Sequence, residues 1–198
     1  MTDSISTTAY ETLLDVVREE FGRVAYSHKT HLKMVDRLNQ RIVLEKRLNA
    51  GLLALTSGDL VGVLITESRC AKVAGLVLSA LALLVTVYGL SRSRERLVEL
   101  HRRTGLELWV LREDYIHLIG DLKAGAVSVD EARAIRDKLT KVAAQIYAGA
   151  PDTDGDAYEA ARKALKTDEE LTFSAKEIDV MLPRALRSNA TRAPPSAS

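Results

Sequence analysis

A seam of mostly apolar residues runs down the first part of the chain. Tyr10, Leu14, Val17, Phe21, Val24, His28, His31, Val35, Leu38 and Ile42 follow one another at alternating steps of three and four. A repeat averaging about 3.5 residues keeps one helix face turned toward a partner, so the pattern predicts a long coiled-coil-like helix from about Tyr10, with Thr7 or Thr8 as its cap. A matching seam, Thr104, Leu108, Leu111, Tyr115, Leu118 and Leu122, predicts a second long helix from about Arg92 to Lys123, ended by Gly125. Ser128 and Glu131 stand at capping-box spacing before a third helix, whose Ala132, Ile135, Leu139, Val142 and Ile146 share a face that ends before Gly149 and Pro151. A short helix from about Asp156 to Leu165 follows, and Ser174 with Glu177 opens another that ends at Pro183.

Between the two long seams the periodicity disappears. Val73 to Leu90 holds eighteen consecutive residues without a charge, in a chain that is otherwise 28% charged. A helix rises about 1.5 Å per residue and a bilayer core is about 30 Å thick, so Ala71 to Ser91 reads as a membrane span. Leu48 to Thr66 is a weaker second candidate because Asp59 lies near its middle, at a cost of about 2.5–3.5 kcal/mol on insertion scales. Only Glu67 to Lys72 separates the two, which predicts a transmembrane hairpin. Basic residues gather before Leu48 (Lys29, Lys33, Arg37, Arg41, Lys46, Arg47) and after Leu90 (Arg92, Arg94, Arg96, Arg102, Arg103), which assigns both termini to the cytoplasm. The expected fold class is therefore all-α: a membrane protein with a two-helix hairpin and a cytoplasmic helical bundle. Its divisions are an N-terminal helix over 1–47, a hairpin over 48–91 with spans at about 48–66 and 71–91, C-terminal helices over 92–187, and a tail over 188–198. The tail, SNATRAPPSAS, has the composition of a disordered segment.

Two features of the hairpin are candidate sites. Asn49, Thr56, Asp59 and Thr66 fall within one arc of the first span, as a polar stripe able to line a pore or to bond the neighbouring helix. On another face Ala50, Ala54, Gly58 and Gly62 recur every fourth residue, and Gly75 and Ser79 do so on the second span; small residues at this spacing let helices approach closely.

Composition removes several function classes. Lys plus Arg number 28 against 27 Asp plus Glu, so no basic excess points to direct nucleic acid binding. One cysteine, Cys70, excludes an internal disulfide. His28 and His31 share a helix face, but no further ligand completes a metal set at a telling spacing. His101 and His117 stand among charged helix residues and suit solvated or interhelical roles. Asp152, Asp154 and Asp156 imitate the start of a calcium loop, yet Ala157 and Lys163 occupy the positions that need Gly and Glu; acidic residues ahead of a helix serve its N-terminal dipole. No phosphate loop, catalytic triad motif or CxxC is present, so neither an enzyme nor a cofactor is expected.

Two stretches resemble a known family. LELWVLREDYIHLIGDLKAG from Leu106 to Gly125, and AQIYAGAPDTDGDAYEAARKALKTDEELTFSAKEIDVMLPRALR from Ala144 to Arg187, are similar to the SLATT domain proteins of bacteria, and the likeness extends over roughly His28 to Arg187. It is carried by Leu108-Trp109, Leu111-Arg112 and Tyr115, by Ile146-Tyr147 and Ala150-Pro151, and by Glu170-Leu171-Thr172-Phe173 and Leu182-Pro183. The first span departs from the family's pattern at Ser57-Gly58-Asp59. The resemblance implies a two-transmembrane effector of anti-phage defence in the bacterial inner membrane, which oligomerises and forms a pore in the membrane lipid, causing abortive infection. Its trigger would be a neighbouring nucleotide second-messenger synthase, that enzyme's product, or a defence-associated reverse transcriptase. The alternative is a membrane-tethered adaptor that positions the neighbouring enzyme without forming a pore. A third reading is a nucleotide sensor using Trp109, Arg112 and Tyr115, although Trp109 and Tyr115 suit bundle packing more simply.

Overall fold

A computed structural model describes the backbone of residues 2–65, 69–90, 94–183 and 186–187. It describes the side chains of residues 8–54, 69–70, 72–87, 94–183 and 186–187. Six helices follow in order: α1 (Thr2–Ile65), α2 (Arg69–Leu90), α3 (Arg94–Ala124), α4 (Val129–Gly149), α5 (Gly155–Lys166) and α6 (Ala175–Met181). α1 begins before the predicted Tyr10 and passes without a break from the amphipathic seam into the apolar region. No proline interrupts it, and its interior glycines cost propensity without ending the hydrogen-bond ladder.

α2 and α3 both run back along α1. Thr86 meets Asn49, Arg94 pairs with Glu45, His101 meets His31, Tyr115 bonds Glu20, and the Tyr10 hydroxyl donates to the Leu122 carbonyl at 2.9 Å. As the residue number rises on one side it falls on the other by nearly the same amount, so a single antiparallel register holds from Asn49 to Tyr10. The seam read from the sequence lies inside this contact. Leu13, Val17 and Val24 pack with Leu108, Leu111, Tyr115, Leu118 and Leu122, and Val35 and Leu38 pack with Val98.

Gly125 turns the chain at the end of α3. Its φ of +66° is left-handed, which a residue with a Cβ adopts at a cost. The Gly125 N–H donates to Leu122 O and the Ala126 N–H to Asp121 O, a Schellman closure of the last turn. The Ser128–Glu131 capping box then starts α4, as the spacing predicts. α4 lies alongside α1 and runs parallel to it, with Thr140 near Glu20 and Tyr147 near Ser27. Its packed face is Ala132, Ile135, Leu139, Ala143 and Ile146; Val142, predicted to belong there, is exposed. α5 crosses back over the middle of α1. Asp154 caps α5 by accepting the Ala157 N–H, and the second predicted capping box, Ser174 with Glu177, opens α6. The predicted disordered tail lies outside the described residues.

The all-α expectation holds, but its membrane half is corrected. Among the described residues no helix is long and apolar enough to cross a membrane. In α2 the described side chains of the uncharged run extend from Val73 to Val87. In the first predicted span only 48–54 have described side chains. The expected pore, lipid partner, membrane tether and multi-pass inner-membrane placement all required spanning helices, and are corrected with them.

Candidate functional site

The helical head, built from the first half of α1 with α3 to α5, carries an unusual polar layer in its main seam. His28 and His31 on α1 and His101 on α3 are all buried, at 4%, 4% and 1% exposure. They occupy seam positions where a coiled coil ordinarily places aliphatic residues. Gly105 lets the helices meet closely at this layer, because a Cβ added there would stand 3.2 Å from Leu32 Cδ2. The His28 Nδ1–H donates to the Gly105 carbonyl at 2.7 Å, which sets its tautomer. His31 Nδ1 and His101 Nδ1 lie 2.9 Å apart. One must donate and the other accept, so at least one of the two rings is neutral.

Burial is the main cause that lowers all three imidazole pKa values. For His31 the neighbouring rings of His101 and His28 add to it, and its pKa falls to about 4. For His28 the bond to Gly105 opposes burial, while Lys29 and Arg112 reinforce it; for His101 the carboxylate of Asp154 opposes it. The layer is therefore uncharged near neutral pH. Next to it Trp109 lies against His28 with ring centroids 5.3 Å apart, and the Arg112 guanidinium sits 4.9 Å from the Trp109 ring and 5.5 Å from that of Phe21. Arg112 pairs with Glu113, and its buried Nε has no hydrogen-bond partner among the described residues, a cost that the two ring faces offset in part.

An ionic clasp joins α5 and the turn after it to α1. Lys29, Lys33 and Arg37 form a ladder at four-residue spacing on α1. Glu170 accepts from Lys29 and Lys33, and Arg37 reaches both Asp154 and, at 2.8 Å, Asp156. Glu169 adopts a left-handed φ of 51° immediately before Glu170. The depressed pKa of Glu170 comes first from its hydrogen bonds to Lys29 and Lys33, and that of Asp154 first from the Ala157 N–H. Thus the acidic run that imitates a calcium loop caps a helix and grips an arginine. Among the described residues no group of three or more His, Cys, Asp or Glu is placed to hold a metal.

Beyond the head the hairpin changes character. Leu48 and Leu53 on α1 and Val73, Leu76, Val77, Leu83 and Leu84 on α2 are all more than half exposed. Asn49 does not face outward with them. It meets Thr86, whose Oγ1 lies 2.9 Å from Asn49 Oδ1 within the α1–α2 seam. Ala50, Ala54 and Ser79 are exposed, Gly75 is partly buried, and Ala82 is the buried small residue that lets the helices close. Thr56, Asp59, Thr66, Gly58 and Gly62 are candidates whose side chains lie outside the described residues.

The pairing of His31 with His101, and a groove walled by Tyr26, Tyr115, Tyr147 and Tyr158, were not legible in the sequence. The one available signal was histidine at seam positions on two helices expected to face each other. Tyr115 packs in the bundle core, as its simpler reading held, whereas Trp109 is 38% exposed and touches the bundle through His28 and Arg112. Nothing among curated proteins or solved structures matches the chain. Residues 13–177 do match a protein family, from Leu13 in the first core layer to Glu177 in the α6 capping box. The "2TM" in that family's description is a property of the family, set beside a chain whose described residues contain no helix long and apolar enough to span. Spread over the head and hairpin alike, the match makes this chain a SLATT domain, and it belongs to the SMODS and SLOG-associating 2TM effector domain family 4.

Proposed function

We propose that the chain is a non-catalytic effector that acts by assembling with copies of itself through the outer faces of α1 and α2 beyond the head. The observation that carries this reading is the apolar surface of the hairpin: Leu48, Leu53, Val73, Leu76, Val77, Leu83 and Leu84 stand exposed around it. Contiguous apolar surface on this scale marks an interaction site. Exposed Ala50 and Ala54 give one outward face the small residues that close helix packing needs, and Gly58 and Gly62 continue the same repeat in sequence. Gly75 and Ser79 supply the equivalent face on α2. The family's description as an effector that associates with SMODS and SLOG supports a division of labour. The polar, well-packed head receives the partner, and the apolar hairpin provides the response.

The test replaces Ala50 and Ala54 together with leucine in the full chain. Assembly is followed by chemical crosslinking and sedimentation velocity. Wild-type protein forms a discrete oligomer and the variant shifts toward monomer, with helical content unchanged. A monomeric wild-type chain, or a variant that assembles like wild type, overturns the reading.

A further inference from the structure

A groove of about 860 Å³ runs between α1, α4 and α5 on the head, away from the hairpin. Its size is in the range of small-molecule sites. Tyr26, Tyr147 and Tyr158 wall it, and Tyr115 contributes its hydroxyl from an otherwise buried ring. Four of the chain's six tyrosines therefore converge from four separate helices on one space.

The charges along the groove are unequally satisfied. Arg18 pairs with Asp15 and Arg23 with Glu19, each within α1. Glu20 has no cationic partner among the described residues. The Tyr115 hydroxyl donates to its Oε2 at 3.1 Å. The Thr140 hydroxyl is 3.4 Å from Oε1 but has the Arg136 carbonyl nearer, at 2.9 Å, to take its proton. A carboxylate oxygen thus remains open to a donor at one end of a tyrosine-walled channel. Tyr26, Ser27, Tyr147 and Tyr158 also line an adjoining hollow of about 300 Å³, to which a second carboxylate, Asp152, contributes. From Glu20 to Thr30, one of the α1 residues that line that hollow, the helix rises about 15 Å.

Tyrosine faces attract cations, most strongly where the site is partly desolvated. Tyr26 demonstrates this within the fold: it stacks on Tyr158 with centroids 5.9 Å apart and has Lys166 Nζ 6.0 Å from its ring. An anionic ligand would meet Glu20 and Asp152 directly. We propose that the groove binds a linear aliphatic polyamine, with one terminal ammonium on Glu20, the other toward Asp152, and the methylene stems along Tyr26, Tyr147 and Tyr158. This site is independent of the self-assembly assigned to the hairpin.

Calorimetric titration of the full chain with spermine, at fixed ionic strength, tests the assignment. Saturable one-site binding is expected, weakened about tenfold by Glu20→Gln, which removes the charge but keeps an acceptor for Tyr115. Asp152→Asn should weaken spermine while leaving butylamine, which has one ammonium, unchanged. Should Glu20→Gln fail to fold, as judged by circular dichroism, Tyr147→Leu at the exposed rim serves instead, with a loss of about three- to tenfold for one ring. Absence of spermine binding, or equal affinity in the folded variants, overturns the proposal. So does a lysine-rich peptide that binds where spermine does not, since it would assign the groove to a protein partner.

Discussion

Acidification should destabilise this fold well before its carboxylates titrate, because the histidine layer is held neutral. His31 has a folded pKa of about 4 against an ordinary value of 6.5. Between those values the unfolded chain binds more protons than the folded one, so stability rises with pH across the window and is lost as pH falls through 6.5 toward 4. For a shift of this size the full loss below both values is at most about 3 kcal/mol, with about 2 kcal/mol already gone at pH 5. Water reaching the seam would lessen it. His28 and His101 are shifted in the same direction and add to the effect. The charged groups acting on the layer are Lys29 and Arg112, which disfavour a protonated His28, and Asp154, which favours the protonated ring of His101. The depressed carboxylates, Glu131, Asp154, Glu170 and Glu177, release their stabilisation at pH values below their ordinary range, so pH 7 to 5 isolates the imidazoles. Urea unfolding of the full chain across that interval measures the slope. The double variant His31→Leu/His101→Leu removes both partners of a buried polar pair, which is far less damaging than removing one. It should lose most of the pH dependence. A wild-type stability that is flat between pH 7 and 5, or a folded double variant with the full wild-type slope, would refute the account.

Other substitutions test the elements that place the layer. Gly120 is exposed one turn before the end of α3 with nothing within 4 Å of an added Cβ, so Gly120→Ala should raise stability by roughly 0.5–1 kcal/mol in thermal melts. Gly125→Ala should do the opposite by about 1–2 kcal/mol, because its φ is +66°. Tyr10→Phe deletes the bond to the Leu122 carbonyl that ties the start of the α1 seam to the end of α3, and should cost about 1 kcal/mol in urea unfolding.

The core of the head was readable because a 3.5-residue repeat names the inward positions without reference to a partner. Val17, Val24, Leu38, Leu108, Leu111 and Leu118 are buried where the pattern places them. It was less accurate where two neighbours compete for one face. Leu13 is buried beside the predicted Leu14, and Ala143 packs in place of Val142 since the smaller residue suits the closer approach. The capping boxes were legible because both partners of each bond lie within four residues. The histidine pair, the tyrosine groove and the clasp depend instead on the register between distant segments, which local spacing does not contain. The membrane expectation rested on counting uncharged residues, a property of composition. Among the described residues no helix is both long and apolar enough to meet that expectation.

The clasp shows how the third layer of the head is held, and its failure should be local. α5 contributes Ala157, Ala161 and Ala164 as its buried face, so it brings close approach but little apolar area. Its position must depend strongly on polar contacts. Arg37 reaches Asp154 and Asp156 together, and Asp154 simultaneously caps α5, so one guanidinium fixes both the site and the direction of the helix start. At the other end Glu170 neutralises Lys29, which is only 8% exposed, and the chain accepts a left-handed Glu169, at a cost of about 1 kcal/mol, to place it there. Arg37→Lys keeps the charge but cannot hold two carboxylates in a planar fork. Glu170→Gln leaves Lys29 buried beside a neutral amide, a loss of about 1–2 kcal/mol once the partial exposure of Glu170 is allowed for. Both variants should speed amide hydrogen exchange in α5, while leaving α1 and α3 protected over the Leu108 to Leu122 core. Exchange that rises equally in all three helices would mean that the clasp belongs to the global folding unit, and that α5 is not a separately released arm.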